Sequence, residues 1–549
     1  MISIKYIFLV LLLIGGCQLE KQNPADQLPQ KAMVSSAHPL ATQVGLDILQ
    51  AGGNAFDATV AIAAALNVVE PMMSGMGGYG TILIYDAKRE KIRFLDSSGK
   101  IPAKMNSDLM RPPIPEYLDN RRSAKSISTP GNVNAWDAMF KQYSILPWED
   151  LFKPAIRLAA DGFPVSERLE RMLEIAFESF PTHAQDIYGN EGSHLKTGEL
   201  LVQKDLANSL KKLAENGRDI FYSGELAMII DSTMKAEDSF LSIEDLINDK
   251  AEWWDPIMIN YKGYEVYTAS PPANAFPALI RLGLMSQFSH FDLEHNSAMY
   301  LHLFAEATKH AYWSRLRYAG DPEITPPPLD KLLSEDYWNE ITSQFDLEKA
   351  KDFEAPDYVT QTSENTTHFV VADQWGNIVS ATQTLGNLFG SKIMPKGTGI
   401  WLNNSLAYST YEPKGNPMDA IPGQRKLSGD CPAIIIKDGK PWAAIGTPGG
   451  HTIGQTVPQM IMNLIDFGMN INDAIQAPRI SFVEPNDLVF EAGITDPVIA
   501  NLNTKGHQTR VVKSIGNAHG LTLIYNNKGE FMGYEGAADN RGEGKAEGF

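Results

Sequence analysis

Cysteine is nearly absent: 549 residues hold only Cys17 and Cys431. So few thiols leave no paired-cysteine spacing for a structural zinc site, and no His-Glu-x-x-His marks a zinc hydrolase. Positive charge is also short, with 47 Lys and Arg against 66 Asp and Glu and a formal net charge of −19. Nucleic acid and anionic lipid are bound through concentrated Lys and Arg, so neither is an expected partner. No phosphate loop ending in Gly-Lys-Ser/Thr occurs, and there is no internal repeat or low-complexity tract. No cofactor or metal is expected. What is present suits an enzyme-sized body: 43% hydrophobic residues can bury a sizeable core in more than one domain, or in one large domain with long excursions.

The one sharply apolar run stands at the start. Lys5 precedes Ile7 to Ile14, too short to span a bilayer, and Ile14-Gly15-Gly16-Cys17 ends it with small residues before a cysteine. This resembles a bacterial lipoprotein signal, with residues 1–16 removed and Cys17 lipidated; an ordinary secretory peptide with a chance cysteine is the alternative. Cys431 then has no disulfide partner, even in an oxidising compartment. Residues 17–31 are polar, contain two prolines and read as a tether. The expected location is the periplasmic side, with membrane contact through the lipid only. Gln18, in place of the aspartate that often retains lipoproteins at the inner membrane, points to the outer one.

Further along, apolar spacing predicts a helix from Leu40 to Leu49 ending at Gly52-Gly53, then a cap at Asn54 and a buried helix from Ala55 to Val69. Gly75-Met76-Gly77-Gly78-Tyr79-Gly80 has the spacing of a dinucleotide fingerprint. A helix precedes it and a strand, Thr81 to Tyr85, follows, the reverse of what pyrophosphate binding needs. Ser128 to Glu348 reads as mostly helical, including Tyr300 to Tyr312. From Thr366 the character turns to strands at Phe369–Ala372, Ile378–Thr384, Ala433–Ile436 and Pro441–Ile445, which suggests a layered α/β sandwich.

Asn365-Thr366-Thr367-His368 heads the first of these strands. A threonine hydroxyl is a poor nucleophile, but freed at an N-terminus it has an α-amine of pKa about 8 as a base on the same residue. The same residues also match a glycosylation sequon, and threonine is a common strand former. Taken alone they carry no more than that. His368 and His451 border the candidate centre and are expected to pack or hydrogen-bond, since an N-terminal threonine needs no histidine; Cys431 reads as a small buried residue.

Taken with distant motifs the picture changes. Ala37-His38-Pro39-Leu40-Ala41-Thr42, Gly52-Gly53-Asn54-Ala55-Phe56-Asp57-Ala58, Gly75-Met76-Gly77-Gly78, Asn365-Thr366-Thr367-His368, Leu402-Asn403-Asn404 and Gly446-Thr447-Pro448-Gly449-Gly450 resemble, in order and spacing, the γ-glutamyltransferase family. The resemblance runs from about Ala32 to the C-terminus. It implies an N-terminal-nucleophile hydrolase, a four-layer αββα sandwich made as one chain that cuts itself between Asn365 and Thr366. A large fragment, 32–365, and a small one, 366–549, would stay associated. Thr366 would be the nucleophile, Thr384 the second threonine bonded to it, and the N–H groups of Gly449 and Gly450 the oxyanion hole.

The departures lie in the pocket that would grip a glutamyl group. Ser98 stands where the family has a carboxylate-binding arginine, a natural partner for that group. Gly386 replaces an asparagine, Ser405 and Tyr408 replace the polar and acidic residues that bind the α-amine, and Gly429 leaves Ser428 alone of a serine pair. Lys100 is a candidate replacement for the arginine, or a solvated surface lysine. The segment from Tyr408 to Arg425 is short, implying a more open cleft. The expected substrate is therefore a small-molecule amide or peptide carrying a γ-glutamyl-like or related acyl group. Transfer to an amine, acylase activity on non-glutamyl amides, and a non-catalytic scaffold are the alternatives.

Overall fold

The computed structural model describes residues 30–289, 293–353, 365–484 and 486–549. Cys17 and residues 1–29 lie outside the described residues.

The strands that build the body are β1 (Met33–Ser36), β2 (Tyr79–Asp86), β3 (Lys91–Ser97), β4 (Glu252–Trp254), β5 (Ile257–Tyr261), β6 (Tyr264–Thr268), β7 (Asn365–Ala372), β8 (Ile378–Gly386), β9 (Ala433–Lys437), β10 (Lys440–Gly446), β11 (His519–Tyr525), β12 (Phe531–Ala538) and β13 (Lys545–Gly548). A seven-stranded sheet runs β13-β1-β7-β8-β2-β3-β4, and a six-stranded sheet runs β12-β11-β10-β9-β6-β5. Every neighbouring pair in both is antiparallel.

Side chains alternate across a strand. On β7, Phe369 and Val371 join the core under α1 (Pro39–Gln50) and α2 (Ala55–Val69). Val370 and Ala372 point the other way, into a core shared with Ile434 and Ile445 of the second sheet. Both faces of β7 are therefore buried, which is why its sequence reads as an unbroken apolar run. The outer face of the second sheet is covered by α3 (Phe276–Met285), α4 (Ala298–Tyr318) and α5 (Ile453–Ile465). The layers are α, β, β, α, as the sequence implies.

Helix α2 has every residue buried and starts from a capping box, in which Asn54 accepts from the N–H of Asp57 and the Asp57 carboxylate accepts from the N–H of Asn54. The largely helical reading of Ser128 to Glu348 needs one correction. It contains β4, β5 and β6, and β5 and β6 form a hairpin with Tyr261 opposite Tyr264. Lys262 (φ 53°) and Gly263 (φ 87°) both take left-handed backbone, the two-residue turn that a strand twist favours.

Candidate active site

Strands β7 and β8 pair regularly from Ala372 and Ile378 back to Thr367 and Gln383; between Asn365 and Thr367 the register slips. Thr366 stands in this irregularity, and a bulge of this kind re-aims a side chain. Thr366 is 3% exposed. Its hydroxyl donates to Thr384 Oγ1 at 3.2 Å. The Thr384 hydroxyl donates in turn to the carbonyl oxygen of Asn365 at 2.7 Å, while the Gly386 N–H donates to Thr384 Oγ1 at 2.9 Å. Two hydroxyls and the carbonyl just before Thr366 thus form one oriented relay. Its acceptor is the oxygen of the peptide bond joining Asn365 to Thr366.

Gly449 and Gly450 lie between β10 and α5, with φ of 138° and 57°. A side chain would be strained at both, and a Cβ on Gly449 would meet Thr452 Oγ1 at 2.5 Å. They precede the first turns of α5, where N–H groups lack intrahelical acceptors and the helix dipole favours negative charge. Gly450 lines the same cleft as Thr366 and Thr384. The cleft encloses about 1220 Å³ of empty space, open solvent at its mouth included.

The other sequence-predicted residues divide. Tyr408 and Ser428 line the cleft; the Tyr408 hydroxyl donates to Asn387, and Ser428 Oγ donates to Asp430 Oδ2 at 2.6 Å. Ser98 does not reach the cleft, being fully buried with its hydroxyl on the Asp96 carboxylate at 2.8 and 3.0 Å. Burial pushes that Asp96 carboxyl up to about 7. Ser405 is fully buried and outside the cleft lining, its Oγ donating to Ser128 Oγ at 2.6 Å. Lys100 also falls outside the cleft lining, half-buried, with its N–H on Asp249 at 3.2 Å. The Ser98 and Ser405 hydroxyls are thus engaged within the scaffold around the cleft, and the Lys100 backbone N–H is held there as well.

His368 is fully buried, its Nδ1 2.8 Å from Thr382 Oγ1 and its ring packed against Gly446. Desolvation holds it neutral, well below the usual imidazole range. His451 lines the cleft, and burial lowers its pKa as well. Cys431 is buried with its thiol pushed up to about 11 by desolvation, which suits packing rather than nucleophilic attack. Far from the cleft, His302, Glu306 and His507 bring metal-capable side chains together. The two rings hydrogen-bond each other at 2.8 Å, and Glu306 pairs with Lys309 at 2.7 Å.

Sequence reasoning missed Tyr79, Arg281, Arg315, Lys426 and Asp430, all of which line the cleft. Arg281 carried a readable signal, being a lone charge in the otherwise apolar helix α3. It is 3% exposed, its pKa is lowered to about 9 by desolvation, and it donates to the Gly454 carbonyl at 3.0 Å.

One wall is formed by Ser409, Pro417 and Met418 and is pinned by Arg111. The Arg111 guanidinium donates to both oxygens of Asp419 at 2.9 Å and to the Tyr411 carbonyl at 2.6 Å. Both ends of the pair are nearly dry, with side-chain exposures of 6% and 3%. Removing one partner leaves a buried charge uncompensated, so Arg111→Met is expected to destabilise the protein by about 3–5 kcal/mol. A lowered urea midpoint would register it; an unchanged midpoint would mean that the pair holds nothing.

Two face-to-face antiparallel sheets between helical layers, with a threonine centre at the bulged head of an inner strand, define an αββα hydrolase of the N-terminal-nucleophile type. The chain belongs to the gamma-glutamyltranspeptidase family, whose description, Gamma-glutamyltranspeptidase, matches residues 41–549. It is 34% identical over 546 residues to a glutathione hydrolase proenzyme of Bacillus subtilis strain 168, covering 94% of this chain and 91% of that one. It is 33% identical over 522 residues to the Acylase ACY 1 proenzyme of Pseudomonas sp. strain SE83, covering 92% and 91%. The crystal structure of cephalosporin acylase from Bacillus halodurans superposes with a TM-score of 0.85 at 28% identity, over 95% of this chain and 96% of that chain. The protein is accordingly an enzyme of this hydrolase family.

Proposed function

We propose that the protein is an autoprocessing threonine amidohydrolase that cleaves a γ-glutamyl-like or related acyl amide through an acyl ester on Thr366. The observation that carries this reading is the Thr384 hydroxyl, which accepts from Thr366 Oγ1 and donates to the Asn365 carbonyl oxygen. In the precursor, Thr366 Oγ attacks the Asn365 carbonyl carbon while Thr384 steadies the charge on its oxygen. The C–N bond breaks, the leaving nitrogen takes up the proton given up by Thr366 Oγ, and an ester links Asn365 to Thr366. Water hydrolyses the ester, freeing an Asn365 carboxylate and the Thr366 α-amine. That amine then serves as the base for Thr366 Oγ in each turnover, and the Gly449 and Gly450 N–H groups receive the substrate oxyanion. Water releases the acyl group as the free acid.

A denaturing gel tests the first half. The purified protein should run as two fragments, the smaller beginning at Thr366 on N-terminal sequencing. A wild-type chain that stays whole would instead mark a non-catalytic scaffold. Product analysis tests the second half: free acid alone supports hydrolysis, whereas new amides formed with added dipeptide would make transfer the activity. The buried commitments of Ser98 and Ser405 support a substrate other than a zwitterionic glutamyl amide, because those positions leave no pair of groups for its α-amino acid end. Selective turnover of γ-glutamyl anilide over its deamino counterpart would count against that.

Lipidation at Cys17 is part of the same proposal. Cys17→Ser should move the protein from the membrane to the soluble fraction; retention in the membrane would rule the anchor out.

A further inference from the structure

Five hairpin turns gather at one end of the sandwich. In the seven-stranded sheet they are β2–β3 and β7–β8, joined by the Ala87 N–H, which donates to Asn377 Oδ1 at 3.0 Å. In the other sheet they are β5–β6, β9–β10 and β11–β12, and Lys440 Nζ ties the last two by donating to the Gly529 carbonyl at 2.7 Å. Tyr534 links the two sets: its N–H donates to the Gln30 carbonyl and its hydroxyl to the Asp373 carbonyl, both at 2.9 Å. Gln30, the first described residue, therefore lies at this end. Large apolar side chains stand out from the turns, with Trp375, Ile524, Phe531 and Met532 41% to 50% exposed. They are neighbours, since the Phe531 ring packs 4.8 Å from Tyr534 and Tyr534 reaches the turn that carries Trp375. The ion pairs here join Arg89 to Asp86, Lys91 to Asp255 and Lys262 to Asp466. Lys88, Lys437, Lys440 and Lys528 are exposed and stay outside such pairs among the described residues, with Glu90, Asp438 and Glu530 as the acids beside them. Scattered apolar residues are ordinary on a surface; a group of them rimmed by lysines marks a contact.

Position decides what meets this face. Cys17 stands thirteen residues before Gln30, so a lipid attached there is held within about 45 Å of the turns. Thr366 stands six residues back from Ala372 on β7, about 20 Å of strand away from the β7–β8 turn. A membrane lying against the turns would leave the cleft facing away from it. Aromatic and apolar side chains ringed by lysines are those that settle at a headgroup layer, because the rings and aliphatic chains insert while the ammonium groups reach back to phosphate. We propose that this end of the sandwich rests on the phospholipid surface that holds the anchor, with Trp375, Ile524, Phe531 and Met532 inserted among the headgroups and the four lysines on their phosphates. This rests on the proposed lipidation of Cys17 and adds a protein contact to the lipid itself. The lysines give this end a way to meet phosphate that the chain's net charge of −19 does not suggest.

The test uses the processed full-length protein in vesicles of phosphatidylethanolamine and phosphatidylglycerol that carry a doxyl quencher high on the acyl chain. An environment-sensitive dye is attached through Met532→Cys or, in a separate preparation, through Ile324→Cys. Ile324 is exposed next to Glu323, which pairs with the cleft-lining Arg425, so it reports on the opposite end. Cys431 is buried and stays unlabelled. The dye at position 532 should shift to the blue and lose most of its emission, while the dye at position 324 keeps both. Adding Phe531→Ser and Trp375→Ser should abolish the loss at position 532 and leave self-cleavage into two fragments unchanged, which also shows that the variant has folded. The intact mass of the larger fragment reads the anchor separately. Lipidated, vesicle-bound protein quenched equally at both positions, or at neither, overturns the proposed face and leaves the anchor standing. A larger fragment that carries no lipid and stays off the vesicles sinks anchor and face together. A dimer in detergent that the double substitution splits would make this end a contact between copies and overturn the proposal as well.

Discussion

Thr366→Ala should leave the precursor as a single chain, without the two fragments, and should lower turnover by on the order of 10⁴-fold or more. On the proposed mechanism the first effect follows because the attacking hydroxyl is gone, and the second because no acyl ester can form. The change removes little volume at a site that is 3% exposed, so the fold should persist, with far-ultraviolet circular dichroism as the check. Thr366→Ser separates chemistry from packing: it keeps the oxygen and should still cut itself, only more slowly. If Thr366→Ala yields the same two fragments as wild type, the cut is made by another protein and Thr366 is not its nucleophile.

The second large effect is expected at Thr384. Valine has nearly the same shape but can neither accept from Thr366 and the Gly386 N–H nor donate to the Asn365 carbonyl. Losing one donor to a developing oxyanion lowers rates roughly a hundredfold to a thousandfold, so Thr384→Val should slow self-cleavage by that factor. Loss of the Gly386 N–H bond to Thr384 adds a stability loss of about 0.5–1.5 kcal/mol. A time course of precursor loss on gels, beside a urea midpoint, reads the two consequences apart. Wild-type processing kinetics in the variant would show that the relay is geometry without a role.

How much of this was legible in the sequence differs sharply from place to place. Helix α2 was readable to the residue because its cap, Asn54, and its uniformly apolar body are local signals. The β5–β6 hairpin was not, because it interrupts a long helical stretch and only alternate residues of the exposed edge strand β5 are well buried. Its turn, Lys262-Gly263, was the available clue. At the centre, the family resemblance singled out Thr366, Thr384 and the Gly449-Gly450 pair, and Thr366, Thr384 and Gly450 line one cleft. The binding end could not. Ser98 and Ser405 do not say which groups line the cleft in their place, and residues that meet there, such as Tyr79 and Lys426, stand far apart in sequence. Lys100 and Lys426 are near neighbours in space, since Lys100 pairs with Arg425 in a short bridge, yet only Lys426 lines the cleft. Local pattern cannot tell which of two adjacent lysines faces inward; packing decides it.

The strand order carries a consequence for how such a protein can be made. In the seven-stranded sheet, β1 from before the proposed cut lies between β13 and β7 from after it, and β2 closes against β8; in the other sheet, β6 closes against β9. The two halves are woven rather than docked. A gene for residues 366–549 alone would therefore leave β7, β8, β9 and β13 with bare hydrogen-bonding edges, the kind that recruit other chains into aggregates. Co-expression of separate halves would have to thread β1 into a gap that exists only once its neighbours are in place. Synthesis as one chain supplies that threading during folding, and the cut at Asn365 would come afterwards as a change of connectivity in an already finished weave.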